Sequence, residues 1–181
     1  MTTRENDELS TPNLIESRRS FTGDAVSVES KVVQVASNKM VKVDCINFSN
    51  IALVIGLLGE SVIMTRQFRY PPWLWLIEAP AGRIEPNETA TETAIREFRE
   101  ETGYSCESIE EIGQLRASPH LSNETTFVFT ASGLRRGPTM HEAGEIMTIS
   151  HIAVVDLRRY IKQGLLVDAK TIAALVLAGL L

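Results

Sequence analysis

The stretch that decides the fold of this chain is GRIEPNETATETAIREFREETGY, residues Gly82 to Tyr104. In a helix that turns about 100° per residue, Glu97 and Glu101 lie one turn apart on one face, with Glu100 beside them. Like charges at this spacing destabilise an isolated helix, whereas a hard divalent cation prefers oxygen ligands and neutralises such a cluster. The stretch therefore predicts a helix with a carboxylate metal site, and the alternative is a solvated acidic face.

The same helix has predicted ends and a predicted packing side. Pro86–Glu88 is typical of a helix beginning, and Gly103 favours a left-handed cap at the end. Arg96 precedes Glu100 by one helical turn, a spacing at which a guanidinium holds a carboxylate in place. The side chains suited to packing on a sheet are Thr91, Ala94, Ile95, Phe98 and Thr102.

Composition limits the classes of partner. The chain has 181 residues, 44% hydrophobic and 23% charged, as expected of a single globular domain with a substantial core. Its formal net charge of −5 argues against a nucleic acid or an anionic membrane as the principal partner. Two cysteines do not form a disulfide framework, the apolar runs are too short to span a bilayer, and the N-terminus is no secretory signal. We therefore expect a cytoplasmic protein without a membrane role.

The order of elements predicts an α/β (α+β) fold with a mixed sheet flanked by helices. Residues 1–24 are polar and predict a mobile arm or a partner-dependent strand, and residues 25–181 predict one domain that begins with strands over 25–50. The predicted strands are Val26–Ala36, Met40–Phe48, Ile51–Leu58, Ser61–Arg66, Trp73–Ile77, Ile109–Arg116, Thr125–Ala131 and Ile146–Val154. The later predicted helices are Asp156–Gln163 and Ala169–Leu180, the second with Asp168 as N-cap.

The acidic helix resembles the signature of a known family. Its positions Gly82, Glu88, Arg96, Glu97, Phe98, Glu100, Glu101, Gly103 and Tyr104 match every fixed residue of the Nudix hydrolase box. The resemblance implies an α/β/α Nudix sandwich. It also implies Mg²⁺-dependent cleavage of a nucleoside diphosphate linked to another moiety, with Mn²⁺ as a substitute.

Flanking segments narrow the resemblance to the ADP-ribose pyrophosphatase subfamily. The matching segments are Gln67–Pro71, Glu78–Gly82, Ser118–Pro119 with Glu124, and Gly164–Thr171. One departure is His120, where the subfamily usually has glycine. This side chain either narrows the pocket, adds a phosphate contact or is an ordinary loop residue. The resemblance also implies a homodimer with exchanged N-terminal strands, to which residues 25–50 would contribute.

The resemblance assigns roles to the helix residues and the turn before it. It implies that the Ala81 carbonyl, Glu97 and Glu101 are metal ligands, with Glu100 sharing the site. Glu100 and Glu101 are accordingly also expected to be catalytic. The metal ions would clamp the pyrophosphate and activate a water for attack on one phosphorus.

Roles outside the helix follow from the same resemblance. A general base is expected on the loop before the last strand, where Glu142 is favoured, Glu145 is the second choice and His141 is a third by its pKa. An ordinary charged loop is the alternative. Arg69 is expected to bind the substrate phosphate, although Arg66 or Arg83 could serve, and Glu124 is expected to touch the terminal ribose.

Three functions compete at this point. The first is hydrolysis of ADP-ribose to AMP and ribose 5-phosphate. The second is hydrolysis of another nucleoside diphosphate sugar, such as GDP-mannose, because the box selects the pyrophosphate and not the base. The third is a domain that binds ADP-ribose without cleaving it, which the intact glutamate cluster disfavours.

Overall fold

The computed structural model describes residues 11–36, 38–141 and 144–181. In these ranges the strands are β1 Asn13–Thr22, β2 Val26–Ala36, β3 Lys39–Phe48, β4 Ile51–Leu58, β5 Ser61–Arg69, β6 Leu74–Glu78, β7 Ala81–Arg83, β8 Tyr104–Ser105, β9 Ser108–Leu115, β10 Thr126–Ser132, β11 Arg135–Arg136 and β12 Met147–Ala153. The helices are α1 Ala90–Thr102, α2 Leu157–Lys162 and α3 Ala169–Leu177, with a 3₁₀ turn at Val154–Asp156. None of the helices in these ranges is long and apolar enough to cross a bilayer.

The chain divides into two compact units. The first consists of Met1–Phe48 with Ser118–Asn123, and the second of Ser49–Ala117 with Glu124–Leu181. Sequence reasoning predicted one domain over residues 25–181 after an arm at 1–24, and this domain division stays a prediction.

The first unit is an antiparallel three-stranded sheet in the order β1-β2-β3. Strand β1 lies inside the segment 1–24 for which an arm or a partner-dependent strand was predicted, and it pairs with β2 from Asn13 opposite Gln34 onward. The segment 118–123 is held to the end of β3, where the Phe48 amide donates to Oδ1 of Asn123 over 2.9 Å. The N-terminal segment thus contributes a strand within its own unit.

The second unit contains a mixed sheet in the order β12-β5-β4-β10-β9. Strands β10 and β4 are parallel, whereas β12 with β5, β5 with β4, and β9 with β10 are antiparallel. Strand β6 pairs antiparallel with β5, and the short β7 pairs antiparallel with β4. Because β7 leads into α1, this pairing brings the turn before the helix against the centre of the sheet.

Helices cover both faces of this sheet. Ala52 and Val54 of β4 are buried in a cluster with Phe98 of α1. Their neighbours Leu53 and Ile55 point to the opposite face and are buried in a cluster with residues of α2 and α3. Alternate residues of a strand face opposite sides, so a continuous apolar run such as β4 requires cover on both. The predicted α/β/α sandwich is confirmed.

The termini of α1 largely follow the prediction. Thr89 is the N-cap and forms a capping box with Glu92, so the helix begins slightly later than the predicted Pro86–Glu88. Gly103 ends the helix with φ 73°, the left-handed conformation that was predicted. Asp168 caps α3 as predicted, accepting from the Thr171 amide over 2.8 Å.

Candidate active site

The turn before α1 packs directly on the first glutamate of the predicted site. Gly82 pairs with Ala52 of β4, which fixes the turn against the sheet. A Cβ placed on Gly82 would lie 1.9 Å from Cδ of Glu97, far inside contact distance. Only glycine therefore lets this carboxylate lie against the turn.

Arg96 gathers the glutamates on the outer side of α1. Its Nε donates to Oε1 of Glu88 over 2.8 Å, and its Nη1 donates to Glu97 over 2.8 Å and to Glu100 over 3.2 Å. The predicted contact between Arg96 and Glu100 is confirmed. Hydrogen bonds from Arg96 and Thr93 lower the pKa of Glu88 to about 2. One guanidinium thus contacts three carboxylates, and it favours the ionised form of Glu88.

Glu101 lies on the inner side of α1 in a different environment. Its side chain is buried, and its Oε2 accepts a hydrogen bond from the Ala81 amide over 3.1 Å. Burial, followed by the negative charges of Glu97 and Glu145, raises the pKa of Glu101 well above its usual value. Burial also raises the pKa of Glu97, although its contact with Arg96 opposes this. Burial thus disfavours the charged form of both carboxylates.

Arg69, the predicted phosphate contact, is fixed by a carboxylate that sequence reasoning left without a role. Its Nη2 and Nε donate to Oε2 of Glu78 over 2.6 and 2.9 Å. The Arg69 side chain is still 40% exposed, and it also interacts electrostatically with Glu101. Glu78 lies in the Glu78–Gly82 match, but only the hairpin of β5 and β6 shows that it reaches Arg69.

The loop before β12 lies beside the buried glutamate. The Nε2 atom of His141 is 2.9 Å from the carbonyl oxygen of Glu101. Glu145, the second choice for the general base, lies close enough to raise the pKa of both Glu97 and Glu101. Glu142, the first choice, lies outside the described residues. The structure therefore brings two of the three candidates to the acidic helix.

The remaining predicted residues lie in other surroundings. Glu124 accepts from Nζ of Lys170 over 3.4 Å and from Oγ1 of Thr126 over 3.3 Å. His120 belongs to the first compact unit, within Ser118–Asn123. Sequence reasoning also missed Gln67, whose Oε1 is buried without a hydrogen-bond partner on the strand that carries Arg69.

The donor set fits a hard divalent cation, although it is not arranged as a finished site. Across residues 11–36, 38–141 and 144–181, no three histidine, cysteine, aspartate or glutamate side chains already converge on a single point. Glu97 and Glu100 are turned to Arg96, and Glu101 is turned to the Ala81 amide. All the candidate ligands are nevertheless oxygens, and a cation would offset both the burial of Glu101 and its repulsion by Glu97 and Glu145.

Comparison with known proteins agrees with this geometry. The chain is similar to the methanol dehydrogenase activator of Bacillus methanolicus, with 28% identity over 163 residues that cover 88% of each chain. It is similar to the ADP-ribose pyrophosphatase of Bacillus subtilis (strain 168), with 28% identity over 158 residues that cover 86% of this chain and 85% of the other.

A solved structure described as an ADP compounds hydrolase shares the fold. Its TM-score is 0.83 at 15% identity, covering 94% of this chain and 93% of that one. The NUDIX domain family matches residues 48–175, a span that includes the sheet, the turn at Gly82 and the whole of α1. With this match over most of its length, and with the box glutamates gathered on one helix, the chain belongs to the Nudix hydrolase family.

Proposed function

We propose that the protein hydrolyses the pyrophosphate of ADP-ribose to AMP and ribose 5-phosphate in a reaction that depends on Mg²⁺. The observation that carries the proposal is the position of Glu101, which is buried and accepts a hydrogen bond from the Ala81 amide beside Glu97. Burial, followed by the negative charges of Glu97 and Glu145, raises its pKa. The name of the Bacillus subtilis relative supports ADP-ribose as the substrate. The flanking matches at Gln67–Pro71 and Glu78–Gly82 support the same subfamily.

The cation would be held by the Ala81 carbonyl, Glu97 and Glu101, with Glu100 sharing it. Bound there, a divalent ion neutralises the diphosphate and activates water for attack on phosphorus. Mn²⁺ would substitute, because it also accepts oxygen ligands. Removing the ion with a chelator should abolish turnover, and adding Mg²⁺ should restore it.

Two further groups would act on the substrate and the water. Arg69 binds a phosphate oxygen, and Glu78 keeps the guanidinium in one orientation while part of it stays exposed. Glu145 takes the proton of the attacking water, a role supported by its proximity to Glu97 and Glu101. Glu142 stays an alternative for this base. Glu124 is proposed to contact the terminal ribose.

The assembly and location are also proposals. A homodimer through the N-terminal strands is supported by large apolar side chains of the first unit that are exposed in the single chain, including Leu14, Phe21 and Met40. A cytoplasmic location is supported by the two free cysteines. Size measurement in solution, compared with a variant lacking residues 1–24, would test the dimer.

A second candidate is hydrolysis of another nucleoside diphosphate sugar. The observation in its favour is similarity to the GDP-mannose pyrophosphatase of Cronobacter sakazakii (strain ATCC BAA-894), with 31% identity over 128 residues that cover 64% of this chain and 65% of the other. Similarity at 28% identity thus supports the reaction class more strongly than the base or the sugar.

The test is a panel of ADP-ribose, other ADP-sugars and GDP-mannose with Mg²⁺, followed by identification of the products. We expect the highest kcat/KM for ADP-ribose, with AMP and ribose 5-phosphate in equal amounts. A reaction in ¹⁸O-labelled water shows which product receives the solvent oxygen. A higher kcat/KM for GDP-mannose would make GDP-mannose the substrate in place of ADP-ribose. Binding of ADP-ribose without cleavage would support the non-catalytic alternative.

A further inference from the structure

A group of aromatic rings surrounds the end of β5, next to the site. The ring of Tyr70 packs edge-on against Phe68, with centroids 5.6 Å apart, and lies 6.2 Å from the ring of Trp73. Phe68 also packs edge-on against Trp73 and Trp75. Such edge-to-face contacts orient aromatic rings. The Tyr70 ring, although half exposed, is therefore held in one orientation by its neighbours.

The hydroxyl of this oriented ring reaches the loop that carries the candidate base. Tyr70 donates its O–H to the Gly144 carbonyl over 2.9 Å. Two residues later, the Ile146 carbonyl accepts from the Phe68 amide, also over 2.9 Å. The two bonds lie on either side of Glu145, so the backbone at Glu145 is fixed from both directions by consecutive parts of one segment, Phe68–Tyr70.

The position of Glu145 needs support because two nearby side chains are also acidic. Its neighbours include the acidic side chains of Glu97 and Glu101, with which it interacts unfavourably. Gly144 has φ 99°, a conformation that favours glycine. Because glycine has no Cβ, the loop backbone at this position is less restrained than it would be with another residue. The hydrogen bonds from Phe68–Tyr70 to Gly144 and Ile146 restrain the backbone at this position.

We propose that Tyr70 is a positioning residue for hydrolysis, and that its hydroxyl, through the Gly144 carbonyl, holds Glu145 beside the acidic helix. The inference rests on the proposed function and adds to it the device that places the base. Tyr70 touches neither the substrate nor the cation in this scheme. Its effect should therefore fall on the chemical step and not on binding.

The first test is Tyr70→Phe, which keeps the ring and its packing and removes only the hydroxyl. We expect kcat to fall about tenfold, as for loss of one hydrogen bond, with KM within about twofold of wild type. The matched control is Tyr160→Phe, which removes a hydroxyl on α2 at the opposite face of the sheet and should leave kcat unchanged. An unchanged kcat for Tyr70→Phe, or a raised KM with normal kcat, would overturn the proposal.

The second test combines Tyr70→Phe with Glu145→Gln. If the hydroxyl acts through Glu145, it should add less than about twofold to the loss caused by Glu145→Gln alone. If the kcat losses of the two single variants multiplied in the double variant, Tyr70 would act elsewhere and the proposal would be wrong.

The third test needs no turnover. Amide hydrogen exchange of the peptide spanning residues 141–146, in protein without added metal, should become at least severalfold faster in Tyr70→Phe and not in Tyr160→Phe. Equal exchange in the two variants would contradict the tether. If wild type cleaved no nucleotide of the panel, the proposed function would fail, and this measurement would still decide whether Tyr70 holds the loop.

Discussion

Glu88 and Glu101 belong to the same acidic motif, yet the protein shifts their pKa values in opposite directions. Arg96 and Thr93 bind Glu88, and its pKa falls to about 2. Glu101, on α1, is buried and accepts a hydrogen bond from the Ala81 amide, and burial raises its pKa well above the usual value. The comparison shows that Arg96 favours the charge of Glu88 within the chain, whereas burial disfavours the charge of Glu101, which a divalent cation would compensate.

The largest expected effect is on the inner side. Glu101→Gln removes the proposed ligand and should lower kcat by about a thousandfold, because stabilisation of the reacting diphosphate is lost. The melting temperature without metal should stay equal or rise, since a buried charge is removed from a repelling environment. Enzyme assays and thermal unfolding check the two parts.

The control for this change is Glu110→Gln, which neutralises an exposed glutamate on β9 and should leave both quantities unchanged. Glu101→Gln with wild-type turnover would remove Glu101 from the site. A large fall in melting temperature would show that its charge stabilises the fold, which contradicts the proposed contrast with Glu88.

The next effect concerns the outer side. Arg96→Met removes the guanidinium that binds Glu88, Glu97 and Glu100, and should lower the free energy of unfolding by about 1–2 kcal/mol, a modest figure because these groups are partly exposed. Urea unfolding measures the change. Arg99→Met is the matched control, since Arg99 is exposed on the same helix and should cost much less. Equal losses would show that the Arg96 network adds no stability.

The smallest effect is a difference in pH dependence. Because the folded pKa of Glu88 lies near 2, below the ordinary 4.5, its stabilisation is present above about pH 4.5 and is lost as pH falls toward 2. The contribution of Glu101 has the opposite sign. Because its pKa is raised in the folded protein, the free energy of unfolding decreases as the pH rises above the ordinary pKa of 4.5.

Urea midpoints measured against pH should separate the two contributions. Arg96→Met should flatten the acid limb that Glu88 produces, and Glu101→Gln should flatten the decline at higher pH. A Glu101→Gln profile that parallels the wild-type profile above pH 4.5 would mean that burial of the Glu101 carboxylate does not destabilise the fold.

Sequence reasoning predicted much of the local structure because the signals are local, although Thr91 and Ile95, predicted for the packing side of α1, are exposed. The acidic face of α1, its contact between Arg96 and Glu100, and the caps at Gly103 and Asp168 each follow from spacing within a few residues. The mixed sheet flanked by helices followed from the order of strands and helices, and its α/β/α arrangement from the resemblance to the Nudix box. The helix beginning was slightly displaced, because Thr89 with Glu92 is a stronger cap than the proline turn before it.

By itself the sequence determined the Nudix box, its helix and the kinds of side chain that α1 presents, because these depend on composition and helical period. Tertiary structure alone decided which carboxylate is buried, which is paired, and what faces Arg69. Those outcomes depend on strand register, since the pairing of β7 with β4 places Gly82 against Glu97, and the hairpin of β5 with β6 places Glu78 at Arg69. Contacts between residues far apart in the chain leave no local pattern, so their physical consequences appear only when the chain is folded.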